Sequence, residues 1–212
     1  MQYILNKQLE VLGNYDVVVV GGGISGFAAA VAAKRSGAQV AVLEDSGMLG
    51  GMATLGHVGV FMPVGNDMGI YHELLSGFMD RKRILDPSTN GITFDCCRLR
   101  AYLSHMLAEE KIDVFYHCKF ADAFVENGAV QAVAVLTVEG LKAVGGKVFI
   151  DCTGNGSLAI AAGEEYFSGR EQDGNTQAMT LMFEMTKTGS KAENLPDYYR
   201  KIKCVKDTPQ GR

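Results

Sequence analysis

The segment YDVVVVGGGISGFAAAVAAKRSGAQVAVLED, residues 15–45, contains a strand, a glycine-rich turn, a helix and a second strand without a break. Its β-branched run at residues 17–20 is typical of a strand buried on both faces of a parallel sheet, and three glycines end that run abruptly. The small, alanine-rich residues 24–36 follow as a helix, and the apolar residues 39–43 as the next strand. This order predicts an α/β fold built around a parallel sheet.

The glycines of the G-x-G-x-x-G pattern have separate roles. Gly21 permits the tight turn, Gly23 leaves no Cβ between the backbone and a bound pyrophosphate, and Gly26 lets the helix lie close against the strand. Because the helix begins at Ile24, its free N–H groups and the positive end of its dipole face the diphosphate. Gly37 then ends the helix.

An acidic residue completes the motif. Glu44 stands at the carboxyl end of the second strand, roughly 20 residues after the glycines, where it can accept hydrogen bonds from both ribose hydroxyls. A carboxylate there also repels a 2′-phosphate, which argues against NADP. An isolated G-x-G-x-x-G is a weak signal, but here the strand, the helix, the second strand and the acid are all present. The segment therefore predicts a dinucleotide site.

Composition excludes several other classes of protein. The chain has 212 residues, enough for one or two domains, and its net charge of −4 without a Lys/Arg cluster argues against nucleic acid as a partner. No apolar run approaches the roughly 18 residues of a membrane span. Five cysteines, an odd number without C-x-x-C spacing, favour reduced thiols in a cytoplasmic protein, and no metal site is predicted.

After Glu44 the pattern predicts a ligand-bound loop and two helices. Residues 45–63 are rich in glycine but also in large apolar side chains, which favours a structured loop on a ligand over a solvated linker. Apolar residues at helical spacing predict a helix over residues 66–81, and turn residues predict a surface loop over 83–93. Asp95 is placed to cap the next helix.

The sequence from about residue 120 to 144 predicts a β-meander. Asn127 and Gly128 lie between two apolar runs and form a strong hairpin signal, because a type I′ turn needs positive φ at both central residues. The glycine pair at 145–146 marks a further turn, after which residues 147–151 read as a separate buried strand.

These features, taken in order, resemble the FAD-dependent oxidoreductases of the glutathione-reductase structural type. Three pieces are similar more narrowly to the bacterial FAD-dependent oxidoreductase family that is distantly related to fumarate reductase flavoproteins. They are GGMAT at 50–54, Phe94-Asp95, and DCTGNGSLAIAAGEEYFSGREQDGNTQAMTLMFEM at 151–185. The resemblance implies an α/β, Rossmann-like FAD/NAD(P)-binding domain, whose central parallel sheet has helices on one side and a β-meander on the other.

The resemblance also implies which residues bind the cofactor. The first glycine turn would bind the pyrophosphate of FAD, Glu44 the adenosine ribose, and the backbone of Phe120 the adenine. The loop at residues 50–54 would line the pyrophosphate, ribitol and flavin ring, and the Thr153-Gly154 backbone would pack against the cofactor. The full predicted set is Gly21, Gly22, Gly23, Ile24, Ser25, Gly26, Glu44, Asp45, Gly50, Gly51, Met52, Ala53, Thr54, Phe120, Thr153 and Gly154.

The chain departs from the family pattern in three places. Cys152 replaces the usual alanine, and Asn155 stands where aspartate is common. The late Gly-Asp motif and the substrate domain of such flavoproteins find no match after Gly163. We therefore expect an N-terminal fragment or truncated product, with an FAD-binding domain over 1–163 and the start of a substrate or cap domain over 164–212. A reading frame that ends at Arg212 would contradict this expectation.

Three functions fit these observations. The first is an FAD-dependent oxidoreductase that transfers a hydride or electron pair between FAD and a small-molecule substrate, with an unidentified electron acceptor or donor. The second is an NAD-dependent dehydrogenase, and the third a non-catalytic dinucleotide-binding fragment. His57 is the one catalytic candidate, either as an acid or base that faces the flavin or as a structural or solvent-facing residue. No motif indicates the oligomeric state.

Overall fold

The structure is a computed structural model that describes residues 7–62, 69–78, 85–86 and 91–182. Within these ranges the chain forms nine β-strands, four α-helices and one 3₁₀ turn. In chain order the strands and α-helices are β1 (Glu10–Val20), α1 (Ile24–Arg35), β2 (Val40–Leu43), β3 (Val60–Phe61), α2 (Gly69–Phe78), β4 (Leu85–Asp86), β5 (Gly91–Thr93), α3 (Cys96–Glu109), β6 (Asp113–Phe115), β7 (Lys119–Glu126), β8 (Ala129–Thr137), β9 (Gly140–Asp151) and α4 (Ser157–Ala161).

A mixed six-stranded sheet in the order β6-β2-β1-β9-β8-β7 carries the fold. Strands β6, β2, β1 and β9 are parallel neighbours, whereas β8 and β7 continue antiparallel from β9. Val20 at the end of β1 pairs with Leu43 of β2 and with Asp151 of β9. Three parallel strands therefore end at one edge, which is where open α/β sheets bind ligands.

The two faces of the sheet are covered by different elements. Phe27 of α1 and Leu103 of α3 are fully buried in one cluster with Val19 of β1. Val133 of β8 belongs to a second buried cluster with Val18 of β1. Because side chains alternate along a strand, Val18 and Val19 point to opposite faces. The predicted arrangement, with helices on one side and the meander on the other, is confirmed for α1 and α3, whereas Leu158 of the short helix α4 packs in the cluster on the meander side.

The meander and the parallel sheet share one strand, β9. This strand pairs with β8 through its first half and with β1 along most of its length, and it runs without a turn through Gly145 and Gly146. The turn predicted at 145–146 is therefore wrong. A Cβ on Gly145 would overlap Asn14 Oδ1, and one on Gly146 would lie 2.8 Å from Val18 Cγ2, so these glycines allow close packing within the sheet.

Two other predicted segments differ from the structure. Residues 83–93, predicted as a surface loop, contribute β4 and β5 to a small antiparallel sheet of order β3-β5-β4, in which Ile92 is buried. The apolar composition of residues 176–187 also predicts a strand, but residues 176–182, the described part of that stretch, form none. The helix predicted over 66–81 is observed as α2, and the residues predicted to extend it at either end lie outside the described ranges.

The chain divides into two compact units, Met1–Thr180 and Leu181–Arg212. Only Leu181 and Met182 of the second unit belong to the described residues. The domain boundary placed between residues 163 and 164 stays a prediction.

Tyr15 offers a pH test of packing near the start of the parallel strands. Its hydroxyl donates to Asp113 Oδ2 at 2.9 Å, and burial together with this carboxylate raises the pKa of Tyr15 to about 12. Between its ordinary pKa of about 10 and that value, the folded state holds a proton that the unfolded state has lost. Stability therefore falls as pH rises through this range. We expect Tyr15→Phe to remove this part of the pH dependence of urea unfolding, and an unchanged profile would contradict the assignment.

Candidate dinucleotide site

The turn between β1 and α1 has the backbone that the glycine pattern predicts. Gly21 has a φ of 102°, and its N–H donates to Leu43 O at 2.8 Å, which joins the turn to β2. A Cβ on Gly21 would lie 2.5 Å from Cys152 O, and one on Gly26 would overlap Gly21 O. Only glycine fits at these two positions, because each faces main-chain atoms that cannot move aside.

Gly23 is different, because the packing of the described residues does not require glycine there. It is the N-cap residue of α1 with an ordinary φ of −63°, and a Cβ on it would meet no atom of the described residues within 4 Å. The helix itself supplies no acceptor for its first N–H groups, which begin at Ile24. The turn therefore presents main-chain donors beside open space, an arrangement that suits a diphosphate.

Glu44 lies against the same turn. Glu44 as a whole is 8% exposed, and its carboxylate accepts from Gly22 N–H at Oε2 (2.8 Å) and from Ser46 N–H at Oε1 (2.7 Å). An ionised carboxylate offers about four acceptor positions, so each oxygen keeps one for a ligand. Sequence reasoning missed the bond to Gly22. The predicted contact of Glu44 with ribose stays a prediction.

The loop at residues 50–54 is held against the turn. Gly50 N–H donates to Gly22 O at 2.8 Å, and Gly50 forms a parallel bridge with Gly23. A Cβ on Gly51 would lie 3.2 Å from Gly23 Cα. The structure therefore brings together two glycine segments that the sequence separates.

Only part of this loop presents side chains to a ligand. Ala53 and Thr54 are buried, and Thr54 Oγ1 donates to Leu49 O at 2.5 Å. Met52 and Leu55 are instead 66% and 53% exposed. Ala53 and Thr54 can thus line a cofactor only with their backbone, whereas Met52 can contact it with its side chain.

The loop after β9 meets the turn from the other side. Cys152 N–H donates to Val20 O at 2.8 Å, which continues the pairing of β9 with β1. Asp151 Oδ1 accepts from Thr153 N–H at 2.9 Å, and the Thr153 hydroxyl accepts from Ser157 N–H at 2.8 Å. Sequence reasoning missed Asp151, although an aspartate that begins a glycine-containing turn is a signal for such local bonds.

Gly23 and Gly154 share one property. Of the glycines whose surroundings the structure describes, these two alone combine an ordinary φ with no protein atom within 4 Å of an added Cβ. Elsewhere a positive φ or a packed neighbour explains the glycine. A bound group that closely approaches the main chain accounts for the remaining two. Their surroundings therefore fit the cofactor that the glycine pattern predicts.

The start of β7 lies beside Glu44. Cys118 N–H donates to Glu44 O at 2.9 Å, and Lys119 Nζ lies 3.5 Å from Asp45 Oδ2. Phe120 follows directly in β7. Its backbone is thus on the same side of the turn as Glu44, where the adenosine half is expected, and contact with adenine stays a prediction.

Ser25 is exposed in the first turn of α1, and its side chain hydrogen-bonds Cys152. Burial raises the pKa of the Cys152 thiol, and the charge of Asp151 acts in the same direction, whereas the bond to Ser25 opposes both. Cys152 therefore stays neutral near pH 7 and packs the two loops together.

His57 follows the loop at residues 50–54 and is exposed, with a φ of 54°. Its N–H donates to Thr54 O at 3.2 Å. This exposure is compatible with either role predicted for His57.

Across the described ranges, no group of three or more His, Cys, Asp or Glu residues could hold a metal ion. In the same part of the chain, every helix is too short or too polar to cross a membrane.

Comparisons with known proteins agree with this geometry. Digeranylgeranylglycerophospholipid reductase of Methanoculleus marisnigri is 28% identical over 149 residues, covering 59% of this chain and 35% of that protein. A geranylgeranyl bacteriochlorophyll reductase-like protein from Thermoplasma acidophilum has a TM-score of 0.56 at 22% identity, covering 71% of this chain and 42% of that one. THI4 from Thermovibrio ammonificans has a TM-score of 0.57 at 19% identity, covering 74% of this chain and 67% of that one.

The two solved structures show a shared fold, and the chain spans about a third (35%) of the length of the Methanoculleus reductase. A sequence model of one family, described as FAD dependent oxidoreductase, matches residues 16–211. That match covers nearly the whole chain, including both glycine loops. The chain belongs to the FAD dependent oxidoreductase family.

Proposed function

We propose that the chain holds FAD at the edge where β1, β2 and β9 end, and that the whole protein transfers a hydride or an electron pair between FAD and a small organic substrate. The observation that carries the proposal is the pair Gly23 and Gly154, because the packing of the described residues does not require glycine at either position. Membership of the family supports FAD as the cofactor.

Different parts of the site would hold different parts of FAD. The first turn of α1, with the glycine turn before it, would hold the pyrophosphate, and the backbone of Phe120 the adenine. The loop at residues 50–54 and the Thr153-Gly154 backbone would hold the ribitol and the flavin. Bound FAD would supply the redox chemistry, whereas these residues bind and orient it.

Glu44 would fix the adenosine ribose. Its two oxygens already accept from Gly22 and Ser46, and the acceptor position left on each can take one ribose hydroxyl. The two main-chain bonds hold the carboxylate in one orientation before the ribose arrives, which lowers the entropy cost of binding.

Two features favour a flavoprotein over the alternatives. After β2 the chain returns to Gly23 through the bridge at Gly50, and it continues into a meander rather than into alternating strands and helices, as a nicotinamide domain would. The exposed apolar side chain of Met52, in the loop bridged to Gly23, suits contact with a flavin ring or an organic substrate.

Three further parts of the proposal rest on the sequence and on the exposure of His57. His57 is proposed as an acid or base, since it is exposed next to the loop at residues 50–54. A cytoplasmic location is proposed from the odd number of cysteines without C-x-x-C spacing. Residues 164–212 are proposed as the start of a substrate or cap domain.

The cofactor of the purified protein tests the proposal. We expect the visible absorption spectrum of an oxidised flavin, and release of FAD when the protein is denatured. Anaerobic bleaching of the flavin band by an organic substrate would then separate an enzyme from a non-catalytic module. Protein that retains NAD and never flavin would contradict the proposal.

A further inference from the structure

We propose that Asp151 is a positioning residue for cofactor binding, which fixes the Gly154 loop through the start of α4 without touching the cofactor itself. The inference rests on the proposed function, because it concerns the same site. It assigns a role to a charged side chain that lies outside the glycine pattern.

Asp151 joins the two ends of the loop. It is the last residue of β9 and pairs with Val20 at the end of β1. Its Oδ1 accepts from Thr153 N–H at 2.9 Å, and its Oδ2 accepts from Ala159 N–H at 3.0 Å. One carboxylate therefore holds residues 152–156 at their beginning and, through α4, at their end.

The first N–H groups of α4 have hydrogen-bond acceptors within the protein. Ser157 N–H donates to the Thr153 hydroxyl, and Ala159 N–H donates to Asp151. These N–H groups are thus not available to an anionic ligand, and α4 acts as an anchor for the loop rather than as a phosphate site.

Asp151 holds the loop as an anion. Burial acts to raise the pKa of Asp151, but hydrogen bonds from Ala159 and Thr153 outweigh it and lower that pKa below its usual value. Bonds to an ionised acceptor are about twice as strong as neutral ones. An asparagine amide in place of this carboxylate could accept hydrogen bonds at its oxygen only. Its NH₂ group would then face one of the two N–H donors, that of Thr153 or that of Ala159.

A displacement of this loop would reach the cofactor site directly. The loop packs closely against the turn that carries the first glycines. A Cβ added to Gly21 would lie only 2.5 Å from the carbonyl oxygen of Cys152. Gly154, one of the two glycines that packing does not require, lies two residues further along. A change at Asp151 therefore alters the position of Gly154 relative to Gly23.

The test compares Asp151→Asn with Asp16→Asn in the purified chain. Asp16 also accepts from a backbone N–H, that of Gln39 at 2.8 Å, and from Lys147 Nζ at 2.7 Å, but it lies four residues before Val20 and away from the loop. FAD affinity is measured by quenching of flavin fluorescence, and thermal unfolding of the apoprotein is measured in parallel. The circular dichroism of bound flavin reports the position of the ring.

We expect Asp151→Asn to raise the FAD Kd about tenfold or more and to change the flavin dichroism, because the loop loses at least one hydrogen bond to a charged carboxylate. Asp16→Asn should leave the FAD Kd and the flavin dichroism unchanged, even if it lowers the unfolding temperature. An unchanged Kd in Asp151→Asn, or an equal loss of affinity in both variants, would overturn the inference.

If Asp151→Asn does not fold, Asp151→Glu replaces it, since this variant keeps the charge and shifts the carboxylate by one methylene. A raised Kd in Asp151→Glu supports the inference, and a wild-type Kd overturns it. Failure of the unmodified chain to bind any flavin would instead overturn the proposed function, so the two failures are distinguishable.

Discussion

Gly23→Val is expected to weaken FAD binding strongly and to leave the folded protein nearly as stable as before. Within the described part of the chain, the Cβ of the added side chain would meet no atom within 4 Å, and the φ of −63° is accessible to valine. It would instead occupy the space beside the first N–H groups of α1, where the diphosphate is expected. We expect the FAD Kd to rise by about 100-fold or more, equivalent to about 2.7 kcal/mol. Flavin fluorescence titration measures this change.

Two controls accompany this variant. The free energy of unfolding of the apoprotein, measured in urea, should change by no more than about 1 kcal/mol, because a poorer N-cap is offset by a less flexible unfolded chain. Gly23→Ala, with a smaller side chain, should weaken FAD binding by less than Gly23→Val. Wild-type affinity in Gly23→Val would show that no ligand approaches the main chain at this position.

Gly26→Ala is expected to destabilise the protein itself, whether or not cofactor is present. Its Cβ would overlap Gly21 O, and the nearest other atoms include Gly21 C at 3.0 Å and Cys152 Cβ at 3.3 Å. Since the first of these are main-chain atoms of the turn, relief requires α1 to move away from β1. We expect a loss of about 3 kcal/mol in the free energy of unfolding, at the upper end for overpacked sites. Urea denaturation of the apoprotein measures it.

Gly23→Ala is the matched control for Gly26→Ala, because the same chemical change is made three residues earlier in the same turn. The two variants should separate folding from binding, because Gly26→Ala loses stability whereas Gly23→Ala loses affinity for FAD. A Gly26→Ala apoprotein as stable as the wild type would mean that α1 does not depend on close approach to Gly21.

The sequence predicts well those features whose causes lie within a few residues. The spacing of Gly21 and Gly26 is sufficient to place the turn between β1 and α1. The sequence predicts Asp95 as a helix cap, and its side chain accepts from Cys97 N–H at 2.8 Å at the start of α3. The sequence places Asn127 in a hairpin turn, and its φ of 51° agrees. Local chemistry determines each of these.

Features that depend on distant parts of the chain could not be predicted in this way. The glycines at 145–146 resemble a turn in the sequence, and only the neighbouring strand β1 explains why they lie within β9. The bond between Glu44 and Gly22 and that between Asp151 and Ala159 require the orientation of side chains after folding. The role of Gly23 became specific only when the space around it was known, because its spacing alone matches any glycine turn.

The course of β9 also affects how the chain is completed during synthesis on the ribosome. Of the described strands β1 is made first, but β9, the strand that covers one of its edges, is made only after the entire hairpin of β7 and β8. Pairing between such distant segments forms slowly, and a growing chain presents its exposed strand edge to other molecules in the meantime. The nascent chain therefore carries an open β-edge from the synthesis of β1 until that of β9, and such an edge can pair with other chains.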